Sequence, residues 1–504
     1  MVKLSYLFQN APDIEIKSLM SDSRKKRPDS IFFCVKGMMF NGHRFINQAI
    51  ENGAKVIVHS ESLEDINPDI TYIKVKNVQQ AFNSVADAFY GRASSKLRMF
   101  GITGTNGKSS VASLIKDLLD EYEPTGYIGT IAIEYGSVKL EPTLTTPEVD
   151  DLHGILRDMV NANIKACALE VSSIGIEQER VSSIDFDVAI FTNLTHDHLD
   201  YHGNMENYYE IKKRFFDSIK PTGTVITNVD DTYGLSIVED VSCKVLTYGI
   251  HNEADYQAIN FQIMKDKTVF TLVCFGRRYK VETNLVAMFN IYNLLACLAA
   301  LDSQGFNIEK MIPKLTNIKQ IEGRMQRIDL GQPFNIIVDF AHTPDGIKKV
   351  CEYASKITPK GNRIISVFGS AGKRDTKKRK IFGEIADKYC DMIILTEDDP
   401  RDESVYDIAM EIASGIKETN YVIIEDRYYA IQQAIELALA NDTILILGKG
   451  NETFIYREFG TEQYLGDDKV VKETINKIME ERNEIEQVYW SHTIKTRCYK
   501  RYVW

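Results

Sequence analysis

Residues 99–109, Met-Phe-Gly-Ile-Thr-Gly-Thr-Asn-Gly-Lys-Ser, decide the fold of the chain. The apolar run at 99–103 predicts a buried strand, and residues 109–119 have the spacing of a helix. The glycines between them allow backbone N–H groups to turn toward a phosphate at the helix N-terminus, where the helix dipole favours negative charge. Lys108 supplies a point charge, and the Ser109 hydroxyl can bind Mg²⁺. The stretch therefore predicts a phosphate-binding loop between a strand and a helix.

Strand and helix patterns alternate on both sides of this loop. Downstream strand patterns at 166–171, 188–191 and 224–227 are separated by helical patterns, notably 205–216 and 290–301. Such alternation favours an α/β fold with a parallel sheet covered by helices. A second group of β-rich runs comprises 335–340, 363–368, 392–395, 422–424 and 443–447. Before the loop, the predicted strands are 31–35 and 56–59, and the predicted helices are 45–52 and 78–90.

Two boundaries divide the chain into three predicted domains and a tail. A polar patch at 91–96 precedes the loop, and Gly323-Arg324 precedes the second group of strands. The final segment holds both tryptophans and several basic side chains, which predicts either a loosely docked tail or a partner-binding segment. The predicted divisions are 1–98, 99–325, 326–484 and the basic aromatic tail 485–504.

Composition excludes several classes of protein. Of the 504 residues, 44% are hydrophobic and 26% are charged, so each domain can bury a core. The net charge of −11 argues against a large nucleic-acid-binding surface, and no apolar run approaches the ~18 residues of a spanning helix. The eight cysteines are widely spaced without a C-x-x-C motif, which argues against a zinc ribbon or a disulfide framework. We therefore expect a cytoplasmic monomer with no nucleic-acid partner and no membrane span.

The loop at 103–109 resembles the ATP-binding loop of the Mur ligase superfamily, and further motifs extend the resemblance over roughly residues 20–470. Several of them are similar to the MurE branch. Each motif alone is weak, but their order and spacing together are highly specific. The motifs are Ser21-Asp-Ser-Arg24, Asn41-Gly-His43, Thr145-Thr-Pro-Glu148, Leu169-Glu-Val-Ser-Ser173, Asn193-Leu-Thr-His-Asp-His198, Phe289-Asn-Ile-Tyr-Asn293, Gly323-Arg-Met325, Val338-Asp-Phe-Ala-His342, Asp398-Asp-Pro-Arg401 and Gly448-Lys-Gly-Asn-Glu452.

This resemblance implies a three-domain α/β ligase. An N-terminal α/β domain would bind the uridine diphosphate end of the substrate, a central P-loop-type ATPase sheet would bind ATP, and a C-terminal Rossmann-like domain would bring the amino acid. The implied reaction adds the third amino acid to UDP-N-acetylmuramoyl-L-alanyl-D-glutamate through an acyl phosphate, in the synthesis of peptidoglycan precursors. The implied partners are this UDP-muramoyl dipeptide, ATP, two Mg²⁺ ions and a diamino acid.

Two residues near strand ends are candidate ligands for Mg²⁺. Glu170 ends an apolar strand run, and the carboxyl ends of parallel strands are where α/β sheets bind ligands. A carboxylate oxygen at such a position suits a hard cation. His198 follows Asp197 just past another strand run. The resemblance implies that Glu170 and His198 bind the metal together with Ser109.

Lys212 is a candidate for a modified residue. It lies four residues after Tyr208 on a predicted helix, where a lysine is ordinarily a solvated charge. The resemblance implies that CO₂ carbamylates Lys212 and that the carbamate binds the second Mg²⁺. Carbamylation needs a neutral amine, so burial or nearby cations must lower the pKa of this lysine. The adjacent Lys213 is the alternative. The predicted catalytic residues are Lys108, Glu170, His198 and Lys212.

The resemblance also assigns residues to the nucleotide and to the UDP-substrate. Arg324 is of special interest, because an arginine at a hinge reaches phosphate only when the domains close. The predicted ATP-binding residues are Gly104, Thr105, Asn106, Gly107, Lys108, Ser109, Asn290, Asn293, Arg324 and Asp339. The predicted contacts to the UDP-muramoyl dipeptide are Ser23, Asn41, His43, Thr145, Thr146, Ser172 and Arg180. Ile174 and Asn451 stand where the family commonly has histidine.

The identity of the added amino acid depends on a small group of C-terminal residues. In the family, an Asp-Asn-Pro-Arg motif goes with meso-diaminopimelate, whose extra carboxylate can pair with the arginine. Arg401 and Glu452 therefore favour meso-diaminopimelate. Asp399 replaces the asparagine, and a negative charge there favours the ammonium of L-lysine, which is the next candidate. The predicted contacts to the amino acid are Arg374, Asp399, Arg401, Gly448 and Glu452.

Two other functions remain open at this point. A folylpolyglutamate-synthetase-like ligase shares the ATP core and the chemistry, but it would lack an N-terminal UDP-binding domain, whereas about 98 residues precede the loop here. A non-catalytic ATP-binding homologue of a ligase would be favoured by the loss of Glu170, His198 or Lys212, and all three are present.

Overall fold

A computed structural model describes residues 1–37 and 40–480 of the chain. The predicted tail 485–504 lies outside the described residues. The strands form three main sheets of four, eleven and six strands, each drawn from a different part of the chain. No helix in the described part is long and apolar enough to cross a membrane.

The N-terminal part of the chain forms a small parallel sheet with helices on both faces. Its strands are β1 (Val2–Lys3), β2 (Glu15–Ile16), β3 (Ser18–Met20), β4 (Ser30–Phe33), β5 (Ala54–His59) and β6 (Thr71–Lys74), and its helices are α1 (Leu4–Leu7), α2 (Ile46–Glu51) and α3 (Val78–Phe89). The sheet order is β3-β4-β5-β6, and β1 pairs with β2 apart from it. Apolar side chains of α3 cover one face and those of α2 the other.

The central part of the chain is built on the eleven-stranded sheet. Its strands are β7 (Arg98–Thr103), β8 (Thr125–Ile128), β9 (Ile133–Tyr135), β10 (Val138–Leu140), β11 (Ala166–Glu170), β12 (Val188–Phe191), β13 (Thr224–Asn228), β14 (Lys244–Gly249), β15 (Tyr256–Ile263), β16 (Thr268–Cys274) and β17 (Arg277–Thr283). Its helices are α4 (Lys108–Leu119), α5 (Val149–Asn161), α6 (Ser173–Glu177), α7 (Leu199–His202), α8 (Met205–Asp217), α9 (Met288–Ser303) and α10 (Ile308–Met311).

The middle of this sheet is parallel, as the sequence predicts, but both of its ends are antiparallel. The order is β10-β9-β8-β11-β7-β12-β13-β14-β15-β16-β17. The sheet is therefore mixed: the predicted strands β7, β11, β12 and β13 are parallel, whereas β9, β10, β16 and β17 lie where no strand was predicted. The turn from β16 to β17 has only Phe275 and Gly276 between the strands, with φ of 46° and 76°. Two adjacent positive φ values are typical of a tight hairpin turn, which forces antiparallel pairing.

Helices on both faces hold the phosphate-binding loop in place. Helix α9 is buried from Asn290 to Leu301, and it packs with α4 on one face of the sheet. Helices α5 and α8 pack on the other face. Because β7 lies in the middle of the sheet and α4 is covered by α9, the loop between β7 and α4 is anchored at both ends.

The C-terminal part of the chain forms a six-stranded sheet in the order β18-β19-β23-β20-β21-β22, in which only the edge strand β18 is antiparallel. The strands are β18 (Gln326–Arg327), β19 (Asn335–Asp339), β20 (Ile364–Phe368), β21 (Met392–Leu395), β22 (Asn420–Ile423), β23 (Thr443–Leu447), β24 (Phe454–Arg457) and β25 (Gly460–Gln463). The helices are α11 (Pro344–Ile357), α12 (Lys377–Tyr389), α13 (Val405–Ala413) and α14 (Arg427–Leu437). The hairpin β24-β25 lies outside this sheet, and residues 467–480 are helical.

Candidate active site

The phosphate-binding loop has glycines where no other residue fits. Gly104 and Gly107 have φ of 147° and 91°. A Cβ atom at Gly104 would lie 1.9 Å from Thr192 Oγ1, and one at Gly107 would lie 2.8 Å from Asn293 Oδ1. The backbone N–H of Asn106 donates to Asn193 Oδ1 at 3.0 Å. The loop therefore packs directly against the segment after β12 and against α9.

Ser109 links the loop to a strand end and to the boundary with the C-terminal part. Its Oγ donates to Glu170 Oε2 at 3.0 Å and accepts from Arg324 Nη2 at 3.0 Å. Lys108 Nζ donates to two carbonyls of its own loop at 2.9 and 3.0 Å. Burial lowers the pKa of Lys108 from its usual value, while the nearby Glu170 opposes this shift. Lys108, Ser109, Glu170 and Arg324 thus meet at one point.

The carboxylate of Glu170 is held in one orientation. Tyr127 Oη and Thr130 N–H donate to Glu170 Oε1 at 2.5 and 3.0 Å. A Cβ atom at Gly129 would lie 2.1 Å from the same oxygen, so only glycine permits this approach. Oε1 is therefore fully used by the protein, whereas Oε2 faces Ser109. Oε2, which accepts from Ser109 Oγ and from Thr130 Oγ1 at 3.3 Å, is the oxygen that could take a metal ion.

Tyr127→Phe is expected to raise the Mg²⁺ concentration needed for half-maximal activity by about tenfold, because a hydrogen bond to a charged group contributes roughly 1.5–3 kcal/mol. The measurement is a Mn²⁺ binding titration followed by electron paramagnetic resonance, with a non-hydrolysable ATP analogue bound, alongside the Mg²⁺ dependence of the rate. Tyr135→Phe, on the neighbouring strand β9, is the control. Unchanged metal affinity in Tyr127→Phe would show that the tyrosine does not orient Glu170.

A cluster of histidines and aspartates joins the central and C-terminal parts at the same place. His196 Nε2 lies 2.6 Å from Asp375 Oδ2 across this junction. Asp197 Oδ2 lies 3.3 Å from His198 Nε2 and 3.8 Å from His342 Nε2. Desolvation in the cleft lowers the pKa of His198 to about 4, despite the opposing charge of Asp197. A neutral imidazole is the form that binds metals.

The structure separates Lys212 from its neighbour Lys213. Lys212 is 1% exposed, and its Nζ donates to Thr103 Oγ1 at 3.2 Å and to the Gly104 carbonyl at 3.0 Å. Burial, with Lys108 nearby, holds the pKa of Lys212 well below its usual value. Lys213 instead forms ion pairs with Asp240 and Glu239, and its hydrogen bond to Asp240 raises its pKa. Of the two lysines, only Lys212 has a lowered pKa, which favours the neutral amine that carbamylation needs.

The donor set fits Mg²⁺ in part. Among residues 1–37 and 40–480, no three His, Cys, Asp or Glu side chains are grouped as a metal site. Mg²⁺ keeps several waters and binds one or two carboxylates together with substrate phosphates. Glu170 and Ser109 provide oxygen ligands of this kind for one ion. His198 and unmodified Lys212 provide none, so a second ion fits only if Lys212 becomes a carbamate.

Two adjoining cavities open beside the loop, with volumes of about 430 and about 350 Å³. They share a wall that includes Asn106, Gly107 and Arg324. The larger cavity is also lined by the predicted nucleotide residues Asn290, Asn293 and Asp339. The smaller is lined by Thr105, Lys108, Ser109, Thr145, Glu170, Ser172, His198, Arg374, Asp399, Arg401, Gly448 and Glu452. The structure therefore brings most predicted residues into one connected space.

Asp339 has a different environment from the other nucleotide residues. Its two carboxylate oxygens accept backbone N–H bonds from Met325 at 2.6 Å and from Ala341 at 2.8 Å. Met325 has φ of 46° and directly follows Arg324. Asp339 thus fixes the backbone that carries Arg324, besides lining the cavity wall.

The predicted UDP-substrate residues fall into separate groups. Ser23, Asn41 and His43 follow strands β3 and β4 of the N-terminal sheet, away from the cavity lining. Thr146 and Arg180 are buried, and Arg180 Nη1 donates to the Thr146 carbonyl at 2.8 Å. Those two residues hold the loop that presents Thr145 and Ser172 to the smaller cavity.

At the C-terminal side of the smaller cavity, Arg401 and Asp399 differ in whether they have a charged partner. Arg401 Nη1 donates to the Gly372 carbonyl at 2.6 Å, and the guanidinium lies 5.4 Å from the Tyr456 ring centre. Within the described residues Arg401 forms no ion pair. Asp399 Oδ1 instead accepts from buried Lys449 Nζ at 2.8 Å. The negative charge of Asp399 is therefore partly offset by Lys449, which weakens the sequence argument for lysine.

Known protein families account for all three parts of the chain. Residues 15–90 match the model described as the Mur ligase family catalytic domain, 102–301 match the Mur ligase middle domain, and 323–450 match the glutamate ligase domain of Mur ligases. A UDP-N-acetylmuramoyl-L-alanyl-D-glutamate–2,6-diaminopimelate ligase of Clostridium acetobutylicum is 39% identical, over 93% of this chain and 96% of its own. The chain belongs to the Mur ligase family. An enzyme of the same name from Alkaliphilus metalliredigens is 38% identical to this Mur ligase, over 92% of this chain and 94% of its own.

The three-domain α/β fold expected from the sequence is confirmed by a solved structure. A UDP-N-acetylmuramoyl-L-alanyl-D-glutamate–2,6-diaminopimelate ligase superposes on this Mur ligase with a TM-score of 0.67 and 28% identity, covering 95% of this chain and 99% of the other. Sequence patterns did not single out Tyr127, Asp197 or Lys449 of the Mur ligase as site residues. Lys449 lies inside the motif Gly448-Lys-Gly-Asn-Glu452, so its position was visible although its role was not.

Proposed function

We propose that the chain joins meso-diaminopimelate to the D-glutamate carboxylate of UDP-N-acetylmuramoyl-L-alanyl-D-glutamate, at the expense of ATP. One observation carries the proposal: Arg401, without an acidic partner in the described residues, lines the same cavity as Lys108 and Glu170. Enzymes named for this reaction are similar over nearly the whole chain, which supports the same substrates here.

ATP binding is assigned to the larger cavity and to the loop beside it. The backbone N–H groups at the start of α4 and the ammonium of Lys108 would meet the phosphates. In the present state Lys108 bonds to carbonyls of its own loop, and it would exchange these bonds for phosphate oxygens. Arg324 reaches Ser109 from the domain boundary, so it would arrive at the phosphates only when the two parts are together.

Lys212 is proposed to react with CO₂ through its neutral amine. The amine lone pair forms an N–C bond to CO₂, one C–O π bond becomes a lone pair on oxygen, and one N–H proton is then lost, which leaves a carbamate with two oxygens. Glu170, Ser109, His198 and this carbamate would hold two Mg²⁺ ions. When bound, Mg²⁺ neutralises the charge that develops during phosphoryl transfer. The carboxylate of the substrate becomes an acyl phosphate, and the incoming amine displaces phosphate to form the amide.

Arg401 and Glu452 are proposed to select and orient the amino acid. A guanidinium forms paired hydrogen bonds with a carboxylate, and diaminopimelate has one carboxylate more than lysine. Glu452 would accept the ammonium beside that carboxylate. Because Lys449 donates to Asp399, the negative charge of Asp399 is partly offset and favours lysine less than the sequence alone suggests.

The alternatives from sequence have less support. A folylpolyglutamate-synthetase-like ligase would not account for the N-terminal parallel sheet or for the family match at 15–90. A non-catalytic homologue would not need Glu170 held by two donors or a buried Lys212 with a lowered pKa. We also propose domains at 1–98, 99–325 and 326–484, since each main sheet lies within one division apart from the first residue of β7. As a consumer of ATP, the enzyme is placed in the cytoplasm.

The proposed function is tested by measuring phosphate release from ATP with substrates omitted in turn. We expect release to require both the UDP-muramoyl dipeptide and an amino acid, and diaminopimelate to be preferred over lysine and glutamate. Release with a folate substrate and glutamate would favour the folylpolyglutamate alternative. No release with any combination would favour the non-catalytic alternative.

The pH dependence of amino-acid binding should follow Glu452. Burial raises the pKa of Glu452 to about 7, although Lys449 opposes the shift. Below this value the group is protonated and loses its attraction for an ammonium, so the KM for diaminopimelate should rise as the pH falls from about 8 to about 6. Glu452→Gln should have a higher KM with little change over this range. A wild-type KM that is constant from pH 8 to 6 would contradict the assignment.

A further inference from the structure

Beside Arg401 lies a largely buried group of four charged side chains, which we call the Lys449 cluster: Lys449, Asp398, Asp399 and Glu452. Lys449 is 0% exposed. Its Nζ lies 2.6 Å from Glu452 Oε2, 2.8 Å from Asp399 Oδ1 and 3.7 Å from Asp398 Oδ1. A single cation therefore serves three carboxylates on the C-terminal side of the cavity.

We propose that Lys449 is a specificity-determining residue, which keeps lysine from replacing diaminopimelate by offsetting part of the negative charge of Asp399 and its neighbouring carboxylates. This inference rests on the proposed function and adds a residue to it. Lys449 is a positioning residue, because it acts on the substrate through Asp399 and Glu452 and is itself buried behind them.

The backbone places Lys449 in the cluster with little freedom. It directly follows Gly448, which ends the turn after β23 with φ of 111°, and precedes Gly450 with φ of 56°. A Cβ atom at Gly448 would lie 2.8 Å from Asp398 Oδ2, so the chain passes close to the carboxylates. The ammonium also lies 5.6 Å from the Phe454 ring centre, a favourable position for a cation.

Lys449 remains charged in this environment. Burial alone would favour the neutral amine, but the carboxylates of Asp398, Glu452 and Asp399 outweigh it and raise the pKa of Lys449. Loss of the ammonium would leave three carboxylates beside the cavity. Like charges in a desolvated site repel strongly, and the site would then attract a second ammonium in place of a carboxylate.

The cluster is also connected to Arg401 through strand β24. Asp399 Oδ1, besides its bond from Lys449, accepts the backbone N–H of Tyr456 at 3.1 Å. Arg401 N–H donates to the Tyr456 carbonyl at 3.0 Å. Asp399 and Arg401 thus bind the N–H and the carbonyl of the same residue of β24. Asp399 therefore supports the loop that carries Arg401.

The test compares kcat/KM for diaminopimelate and for L-lysine in wild type, Lys449→Met, Asp399→Asn and the double variant. In Lys449→Met the diaminopimelate-to-lysine ratio should fall by about tenfold or more, because Asp399 becomes an uncompensated anion beside the substrate. The double variant should recover most of the wild-type ratio. Binding of an ATP analogue and thermal melting identify variants that fold.

Asp399→Asn keeps the proposal open to refutation even if Lys449→Met does not fold. Because Lys449 already offsets part of the charge of Asp399, this variant should lower kcat/KM for both amino acids, with the diaminopimelate-to-lysine ratio raised by less than about threefold. A rise of the ratio by about tenfold would mean that Asp399 acts as a free anion and would overturn the proposal. An unchanged ratio in folded Lys449→Met would also overturn it. Wild type that does not use diaminopimelate at all would instead overturn the proposed function, and this inference with it.

Discussion

Lys212→Ala is expected to reduce kcat by at least about 100-fold, since removal of one preorganised group that stabilises the transition state commonly costs this much. The alanine variant cannot form a carbamate, and the buried position at Lys212 then offers no oxygen to a cation. Added formate or acetate should restore part of the rate by supplying the missing oxygens. The measurement is the initial rate of phosphate release with and without these anions.

Lys213→Ala is the matched control for this experiment. Lys213 lies next to Arg214 on the same helix, and its side chain forms ion pairs with Asp240 and Glu239. Its loss should therefore leave the rate within about twofold of the wild-type rate. Full activity of Lys212→Ala would contradict the carbamate proposal. Loss of activity in Lys213→Ala, rescued by acetate, would transfer the role to Lys213.

Arg401→Ala is expected to lower kcat/KM for diaminopimelate by about 100-fold, because a buried hydrogen-bonded charge pair that loses one partner costs roughly 2–5 kcal/mol. The kcat/KM for lysine should change much less, since lysine has no carboxylate for this guanidinium. The measurement is a competition assay with both amino acids present, in which the mass of the product shows which amino acid was added.

Lys373→Ala is the control for Arg401→Ala, because Lys373 is a nearby exposed cation paired with Asp402. Its loss should affect both amino acids by less than about twofold. If wild type strongly prefers lysine and Arg401→Ala leaves this preference unchanged, the assignment of diaminopimelate is wrong while the ligase reaction remains.

Most strands and helices of the parallel regions could be predicted, because the spacing of hydrophobic residues and the glycines at turns indicate directly where these elements begin and end. The strand before the phosphate loop is Arg98–Thr103 and the helix after it is Lys108–Leu119, within one residue of the predictions. The hairpin β16-β17 was not predicted. Its turn has Phe275 at a position that glycine or asparagine usually occupies, so the sequence lacks the usual turn signal.

The catalytic residues could be proposed from sequence because they lie in motifs next to strand ends. Their partners could not, because those contacts join distant positions in the chain. Tyr127 and Glu170 are 43 residues apart, and Asp399 and Lys449 are 50 apart. In sequence, Asp399 is an added negative charge that argues for lysine. In the structure the same carboxylate accepts a hydrogen bond from Lys449, and the argument for lysine is weakened.

The central claim is the addition of diaminopimelate to the UDP-muramoyl dipeptide. The most direct measurement is mass spectrometry of the nucleotide-linked product after incubation with ATP, Mg²⁺, the dipeptide substrate and equal concentrations of meso-diaminopimelate and L-lysine. We predict a product that is heavier than the dipeptide substrate by one diaminopimelate residue. One molecule of this product should form for each molecule of ADP. A product carrying lysine alone, or ADP formed without any extension of the dipeptide, would contradict the account.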